Sequence, residues 1–246
     1  MLTLINLELF KLRTVRTPLV LLGLSQLVIV GGVTGLVVSS DTLRTADAAP
    51  AALAHAGLVS LFTLVLGIMA VAGEYRNRTI TDTYLSTPRR ARVIGAKLVA
   101  YAVAGAVFAT VNTATAVLAT RVWWTVKDVP LDFGEPRTWH TILGCYAWNI
   151  AFAVIGVGVG ALIRNLTAAI AAALAWIALV EGIVGQLVGD PARWLPFASG
   201  SALGDLSAAT GAANPLPQLV AAAALTCYAG IFAVVAIGTT VRRDVT

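Results

Sequence analysis

The sequence predicts an all-α integral membrane protein: six transmembrane helices, an interfacial helix at the N-terminus, a short cytoplasmic helix between the second and third spans, and short external helices before the last span. Three observations carry this. The 246 residues are 58% hydrophobic and only 12% charged, with a mean hydropathy of +0.85, so the chain has too little polar surface to coat a soluble globule. The apolar residues fall into six runs long enough to cross a bilayer. The densest charged segment, residues 74–92, stands between two of those runs and carries Arg76, Arg78, Arg89, Arg90 and Arg92 against Glu74 and Asp82.

The net charge of +5 is expected from loop topology and anionic headgroups, and gives no ground for nucleic-acid binding. Cys145 and Cys227 both fall in apolar runs, where cysteine behaves as a small buried hydrophobe rather than part of a disulfide framework or metal site. The first residues alternate apolar and charged and lack a cleavage pattern, so the N-terminus is expected to stay on the protein.

Residues 1–17 place Leu2, Ile5, Leu9 and Leu12 along one side and Glu8, Lys11, Arg13 and Arg16 largely elsewhere, the pattern of an interfacial helix or of a basic lead-in to the first span. Pro18 suits the first turn of a new helix. Residues 18–38, at about 1.5 Å each, cover roughly the 30 Å hydrocarbon thickness. An external loop with Asp41, Arg44 and Asp47 leads to the second span, residues 51–73. After the polar bridge of residues 74–97, the third span occupies 98–120. Residues 121–140 form a second external connection, with Trp123, Trp124 and Trp139 as interfacial anchors. The fourth span is 141–163, and Arg164-Asn165 turns tightly into the fifth, 166–189. Residues 190–218 are too apolar for a free loop and too rich in proline for a span, so they read as short helices in or on the outer leaflet. The sixth span, 219–240, ends at Arg242-Arg243. The whole chain, 1–246, is a single transmembrane domain.

Six spans put both termini on one side. Lys11, Arg13, Arg16, Arg76, Arg78, Arg89, Arg90, Arg92, Lys97, Arg164, Arg242 and Arg243 would lie inside, twelve of the 17 basic residues; Arg44, Arg121, Lys127, Arg137 and Arg193 would lie outside. That asymmetry makes the bridge and both termini cytoplasmic.

An enzyme needs convergent polar groups, and few are legible. Gly95-Ala-Lys97 lacks the spacing of a phosphate-binding loop, so the chain has no nucleotide site of its own. His55 and His140 lack partners at metal-ligand spacing. Ser199-Gly-Ser201 lacks both a nucleophile-elbow context and a mid-span histidine, which argues against an intramembrane serine hydrolase. Within the spans, Glu181 is the costly residue: a carboxyl group at that depth is paired, protonated or facing water. It reads either as an interhelical hydrogen bond or as a polar patch on a substrate route or dimer seam, together with Gln26 and Asn112. Asn112 and Asn149 also suit packing hydrogen bonds. Gly31 and Gly35, Gly156 and Gly160, and Gly185 and Gly189 share the small-xxx-small spacing of close helix packing, within the bundle or at a homodimer seam.

Along the bridge stand Glu74, Arg78-Thr79-Ile80, Thr83-Tyr84-Leu85, Pro88-Arg89-Arg90 and Lys97. With the interfacial start and the six-span order, this series resembles the ABC-2 type permease family, the membrane subunits of ATP-binding cassette exporters. The likeness covers essentially the whole chain, with Tyr84 where that family more often has Leu. The resemblance implies that residues 74–97 are a cytoplasmic coupling segment, with Glu74, Tyr75, Arg78, Thr79, Ile80, Thr83, Tyr84 and Leu85 as the ATPase-coupling residues. It implies two copies of a separate P-loop ATPase that binds ATP and Mg2+, a second permease as homodimer partner, and a place among the lipids of a bacterial plasma membrane. The expected function is ATP-driven export of a drug, antibiotic or other amphipathic substrate. The alternative is a proton- or ion-coupled secondary transporter in which Glu181 carries the ion.

Overall fold

The computed structural model describes residues 1–39, 43, 45–87, 89–206 and 214–242. Among the expected features, Asp41, Arg44, Pro88 and Arg243 lie outside the described residues, as does the side chain of Gln186. The described residues contain six helices long and apolar enough to cross a membrane: Arg16–Ser39, Ala48–Arg76, Arg90–Val126, Pro136–Ile163, Leu166–Ile183 and Gln218–Thr240.

The N-terminal helix, Leu2–Thr14, ends where Val15 turns extended (ψ 137°). The first span then begins at Arg16, which leaves Pro18 in the first turn, where its missing N–H goes unneeded. The second span is assembled from Ala48–Leu53, His55–Leu58 and Ser60–Arg76, with breaks at Ala54 and Val59. The third runs from Arg90 to Val126, well beyond residues 98–120, because hydropathy marks the hydrocarbon crossing and not where the backbone hydrogen-bond ladder stops. The connection expected over residues 121–140 therefore shrinks to the stretch before Pro136, which opens the fourth span at its N1 position. Trp124 is buried (2% exposed) in the bundle instead of anchoring its rim. Trp139 remains exposed.

Arg164, in the left-handed region (φ 55°), ends the fourth span, and the Asn165 side chain caps the fifth by accepting from Ala168 N at 3.0 Å. The fifth span is regular over Leu166–Ala175, widens into a π-helix over Trp176–Val184, and closes with Gly185–Val188. Two short elements follow, a 3-10 turn Asp190–Trp194 and a helix Pro196–Leu203. The last helix is Gln218–Arg242.

The second and fourth spans form the centre. Of the most apolar stretch of each, 72% and 61% is buried, against 22, 17 and 17% for the first, fifth and sixth. Glycine makes the central seam. A Cβ on Gly67 would strike the Ala153 carbonyl, one on Gly156 the Leu64 carbonyl, and one on Gly160 the Ile68 carbonyl, so the two backbones touch where no side chain intervenes. Gly31 and Gly35 share the spacing of Gly156 and Gly160, but a Cβ on either meets nothing within 4 Å; they face away from the bundle. Cys145 is buried as expected, whereas Cys227 is exposed, because the sixth span lays only a narrow stripe on its neighbours. The end of that span joins the N-terminal helix and the start of the third span in one apolar cluster, with Ala236, Ile94 and Leu9 as members. The N-terminal helix and the described end of the sixth span thus gather at the face that carries the bridge.

Candidate functional site

The bridge is shaped first by how the second span stops. Thr79 N donates to Glu74 O (3.0 Å) and Arg78 N to Tyr75 O (3.2 Å), the paired bonds of a Schellman ending, and Arg78 occupies its left-handed position at φ 58° where glycine is the usual choice. The short helix Ile80–Ser86 follows, with Asp82 in its first turn, where a carboxylate favours the helix dipole. Ile80 and Tyr84, one turn apart, bury themselves against Val93 and Tyr75. They hold the helix to the bundle. The exposed residues of the bridge include Arg76, Arg78, Thr79, Asp82, Leu85 (76% exposed), Arg89 and Arg92; Thr83 is half-buried. Two cations lie over the inner rings, Arg90 5.3 Å from the Tyr84 centroid and Arg164 5.2 Å from that of Tyr75. Burial, with Tyr75 and Glu74 nearby, pushes the Tyr84 hydroxyl above its ordinary range, which keeps the ring neutral.

Behind this helix sits a four-residue charge cluster. Lys97 Nζ, with no exposed surface, lies 2.7 Å from Glu74 Oε1 and 2.9 Å from Glu8 Oε2. Lys11 Nζ reaches the same two residues, 2.8 Å from Glu74 Oε1 and 2.8 Å from Glu8 Oε1. Two ammonium groups and two carboxylates cancel in charge, which is what permits burial at this depth. Burial pulls the Lys11 pKa down, but the hydrogen bonds to Glu74 and Glu8 outweigh it and raise it. The cluster locks the N-terminal helix, the end of the second span and the start of the third into one body. Glu8 (5% exposed) thus lies on the buried side of its helix, against the expectation from helical spacing. Lys97 is an internal ion and not a surface charge. The readable signal was a Glu8/Lys11 pair at i, i+3 beside a motif that already held Glu74 and Lys97.

Deeper in the bundle a polar chain crosses three spans. Asn112 Oδ1 accepts from Gln26 Nε2 at 2.8 Å and lies 2.9 Å from Ser25 Oγ. Asn112 Nδ2 is 3.5 Å from Asn149 Oδ1, and Asn149 Nδ2 donates to the Ala56 and Cys145 carbonyls, both at 2.9 Å. Asn112 and Asn149 are fully buried. Gln26 and Asn112 thus come together, while Glu181 stands apart from both.

Glu181 lies within the π-helical turn of the fifth span and caps the helix Pro196–Leu203. Its carboxylate accepts from Phe197 N (2.9 and 3.1 Å) and Ala198 N (2.9 Å), satisfying donors that every helix N-terminus leaves open. The same helix is seated on Trp148, which packs edge-on against Phe197 and lies under Gly200, where a Cβ would collide with the indole, and under Gly204, where one would come within 3.1 Å of it. Beyond its end, Asp205 accepts a two-pronged contact from Arg137 (2.8 and 3.2 Å), and Arg137 also pairs with Asp47. Ser199 and Ser201 bond to the Arg193 and Ala198 carbonyls, an arrangement that leaves neither hydroxyl beside a base. A cavity of about 320 Å³ opens between the second, fourth, fifth and sixth spans, with Glu181 and Pro196 among its lining. Among the described residues, no group of three or more His, Cys, Asp and Glu stands where it could hold a metal ion.

Six apolar spans and a basic bridge bolted to the second and third of them define a multi-pass membrane protein. A family described as ABC-2 family transporter protein matches residues 27–194, and the chain belongs to that family. Its members are the membrane subunits of ABC transporters, not themselves catalytic, and work with an ATP-binding subunit. No curated protein matches the chain. The matched residues hold the whole bridge, Lys97 and Glu181, while Glu8 and Lys11 lie ahead of them.

Proposed function

We propose that this chain is the permease subunit of an ABC exporter in a bacterial plasma membrane, with the bridge and both termini cytoplasmic. Residues 78–86 are the surface on which a P-loop ATPase acts. The observation that carries the reading is the Lys97 cluster. A push on the helix Ile80–Ser86 meets Ile80 and Tyr84 anchored inward, and behind them two spans and the N-terminal helix joined through Lys97. Such a unit moves as one body, so a stroke delivered to a seven-residue helix tilts two spans. Two permeases with two ATPases complete the transporter, and ATP and Mg2+ belong to the ATPase. The apolar cavity favours a drug, antibiotic or other amphipathic molecule as substrate, taken from the lipid phase.

The test is purification of the tagged chain from its native host in mild detergent, followed by reconstitution. The expected result is a P-loop ATPase in equal amount, lost when Arg78→Glu and Leu85→Ala are combined, and flux that requires ATP. A wild-type preparation without ATPase, whose flux ignores ATP and is abolished by Glu181→Gln, would replace this reading with an ion-coupled transporter.

A further inference from the structure

The wall of the cavity is hydrocarbon and aromatic ring almost throughout, and the one carboxylate among the described residues that line it is already engaged. Glu181 accepts from Phe197 N and Ala198 N and bonds to the Trp176 side chain, so it turns no unmatched charge to the interior. A buried water needs about two to four polar partners, and this wall does not offer them. The space is therefore filled by hydrocarbon or left empty. At about 320 Å³, an empty space would forfeit the dispersion contacts of the side chains around it.

Shape selects among hydrocarbons. The fourth span supplies Phe152, Ile155, Val159 and Leu162, spaced three and four residues apart along a single face. With Ile163 beyond them the row covers about 16 Å at about 1.5 Å per residue, so the cavity is a slot running with the helices. Its volume spread over that length gives a mean cross-section of about 20 Å², the width of one extended hydrocarbon chain and too narrow for a fused-ring body. Ile163 and Trp176, both on the wall, are also 37% and 48% exposed, so one side of the slot opens to the bilayer. Glu181 and Pro196 close the far end, joined through the bonds of Glu181 to the helix Pro196–Leu203. The near end, at Ile163, adjoins Arg164, which lies over Tyr75 of the bridge.

We infer that the slot holds one acyl chain of a bilayer phospholipid, entering from the leaflet on the bridge side with its terminal methyl toward Pro196. The fifth span, with Leu166 and Ala169 as the buried residues of its regular stretch, is then completed by lipid. The chain fills the interval between Ile177 of the fifth span and Phe232 of the sixth. Under the permease reading, an exported amphiphile with a linear tail displaces this chain; the acyl-chain site itself does not depend on that reading.

The experiment is photocrosslinking in vesicles of phosphatidylethanolamine and phosphatidylglycerol that contain a phospholipid with a diazirine near the end of one acyl chain, the labelled residues being mapped by mass spectrometry. Phe152 and Ile155 are 2% and 5% exposed, beyond the reach of lipid that coats the bundle, whereas exposed Leu179 reports that coat. The expected result is labelling of Phe152 and Ile155 in the wild type, lowered about tenfold or more by Ala173→Trp, which fills the slot, with labelling of Leu179 unchanged. Excess dodecanol should compete at Phe152, and cyclododecanol, a ring of the same carbon number, should not; this comparison uses the wild-type chain and needs no variant to fold. Failure of the permease reading would appear in the ATPase purification and leave the labelling untouched. Labelling confined to exposed positions such as Leu179, as when a second copy covers the slot, would overturn the inference, as would labelling of Phe152 that survives Ala173→Trp or equal competition by the two alcohols.

Discussion

The Lys97 ammonium lies 2.7 Å from the Glu74 carboxylate, 23 residues away along the chain, and has no exposed surface. This one contact closes the bridge into a loop whose two ends cannot separate. Every residue of the bridge is therefore mounted on a fixed base, and the exposed part of the short helix is set by what lies behind it.

Lys97→Met should be the most damaging single change near the bridge. It leaves Glu74 and Glu8 with Lys11 as their one shared cation in a largely buried site, and removal of one partner from a buried pair costs on the order of 3–5 kcal/mol. Lys11→Met should cost about 0–1 kcal/mol, because the Lys11 side chain is half exposed and solvent screens its pairs. Thermal unfolding of the two variants in the same detergent measures the difference, and equal losses would mean that the cluster is not organised around Lys97.

The same cluster gives a pH signature. A lysine whose folded pKa is raised, as at Lys11, contributes stability that is fully present below its unfolded value of about 10.4 and is lost as pH rises through the folded value. Wild type minus Lys11→Met, followed by thermal unfolding from pH 8 upward, should show a positive difference that disappears only in the alkaline range above that value. A difference that fades already near pH 8 would contradict the pairing.

Much of this fold was legible in the sequence, because six apolar runs and the tight turn at Arg164-Asn165 are local signals. The remainder depends on what faces what. Lys97 at the head of a span reads as one more positive-inside charge until Glu8, 89 residues away, is placed beside it. The Phe197 and Ala198 N–H groups that Glu181 accepts from are backbone donors, invisible to any motif, and a π-turn has no sequence signature. Gly31-x-x-x-Gly35 and Gly156-x-x-x-Gly160 are the same pattern, yet only the second pair touches another backbone.

That contrast makes a direct test. Gly156→Ala forces a Cβ into the Leu64 carbonyl and the Gly67 Cα, backbone atoms that yield only if the helices part. Overpacking of this kind costs about 1–3 kcal/mol. Gly35→Ala, with open space around it, should stay within about 0.5 kcal/mol of wild type in the isolated chain. Thermal unfolding of both by the same assay ranks them, and a larger loss at Gly35 would mean that its face is covered.

Asn112→Leu should be destabilising out of proportion to its volume. The amide oxygen takes a hydrogen bond from Gln26 and lies within hydrogen-bonding distance of Ser25, both of which would keep only local bonds to the Leu22 carbonyl and each other, while Asn149 Oδ1 would lose its Asn112 donor, at about 1–3 kcal/mol for an unpaired buried group. Replacing Gln26 with Leu in the same chain removes a polar group that has lost its partner across the spans and should recover part of the loss. Additive costs for the two changes would show that Gln26 and Asn112 act separately.

Arg78→Gly should separate stability from coupling. Arg78 holds the left-handed position of the Schellman ending, which costs a non-glycine residue about 1–2 kcal/mol, so glycine should raise the unfolding temperature. The guanidinium is exposed and makes no ion pair among the described residues, so its loss removes little from the bundle. If the side chain is there to meet an ATPase, the variant should be more stable and yet retain less ATPase through purification and show less ATP-dependent flux. A variant that is stabilised and fully coupled would assign the contact to Leu85 and its neighbours, and leave the arginine as a strained residue without a role at the bridge.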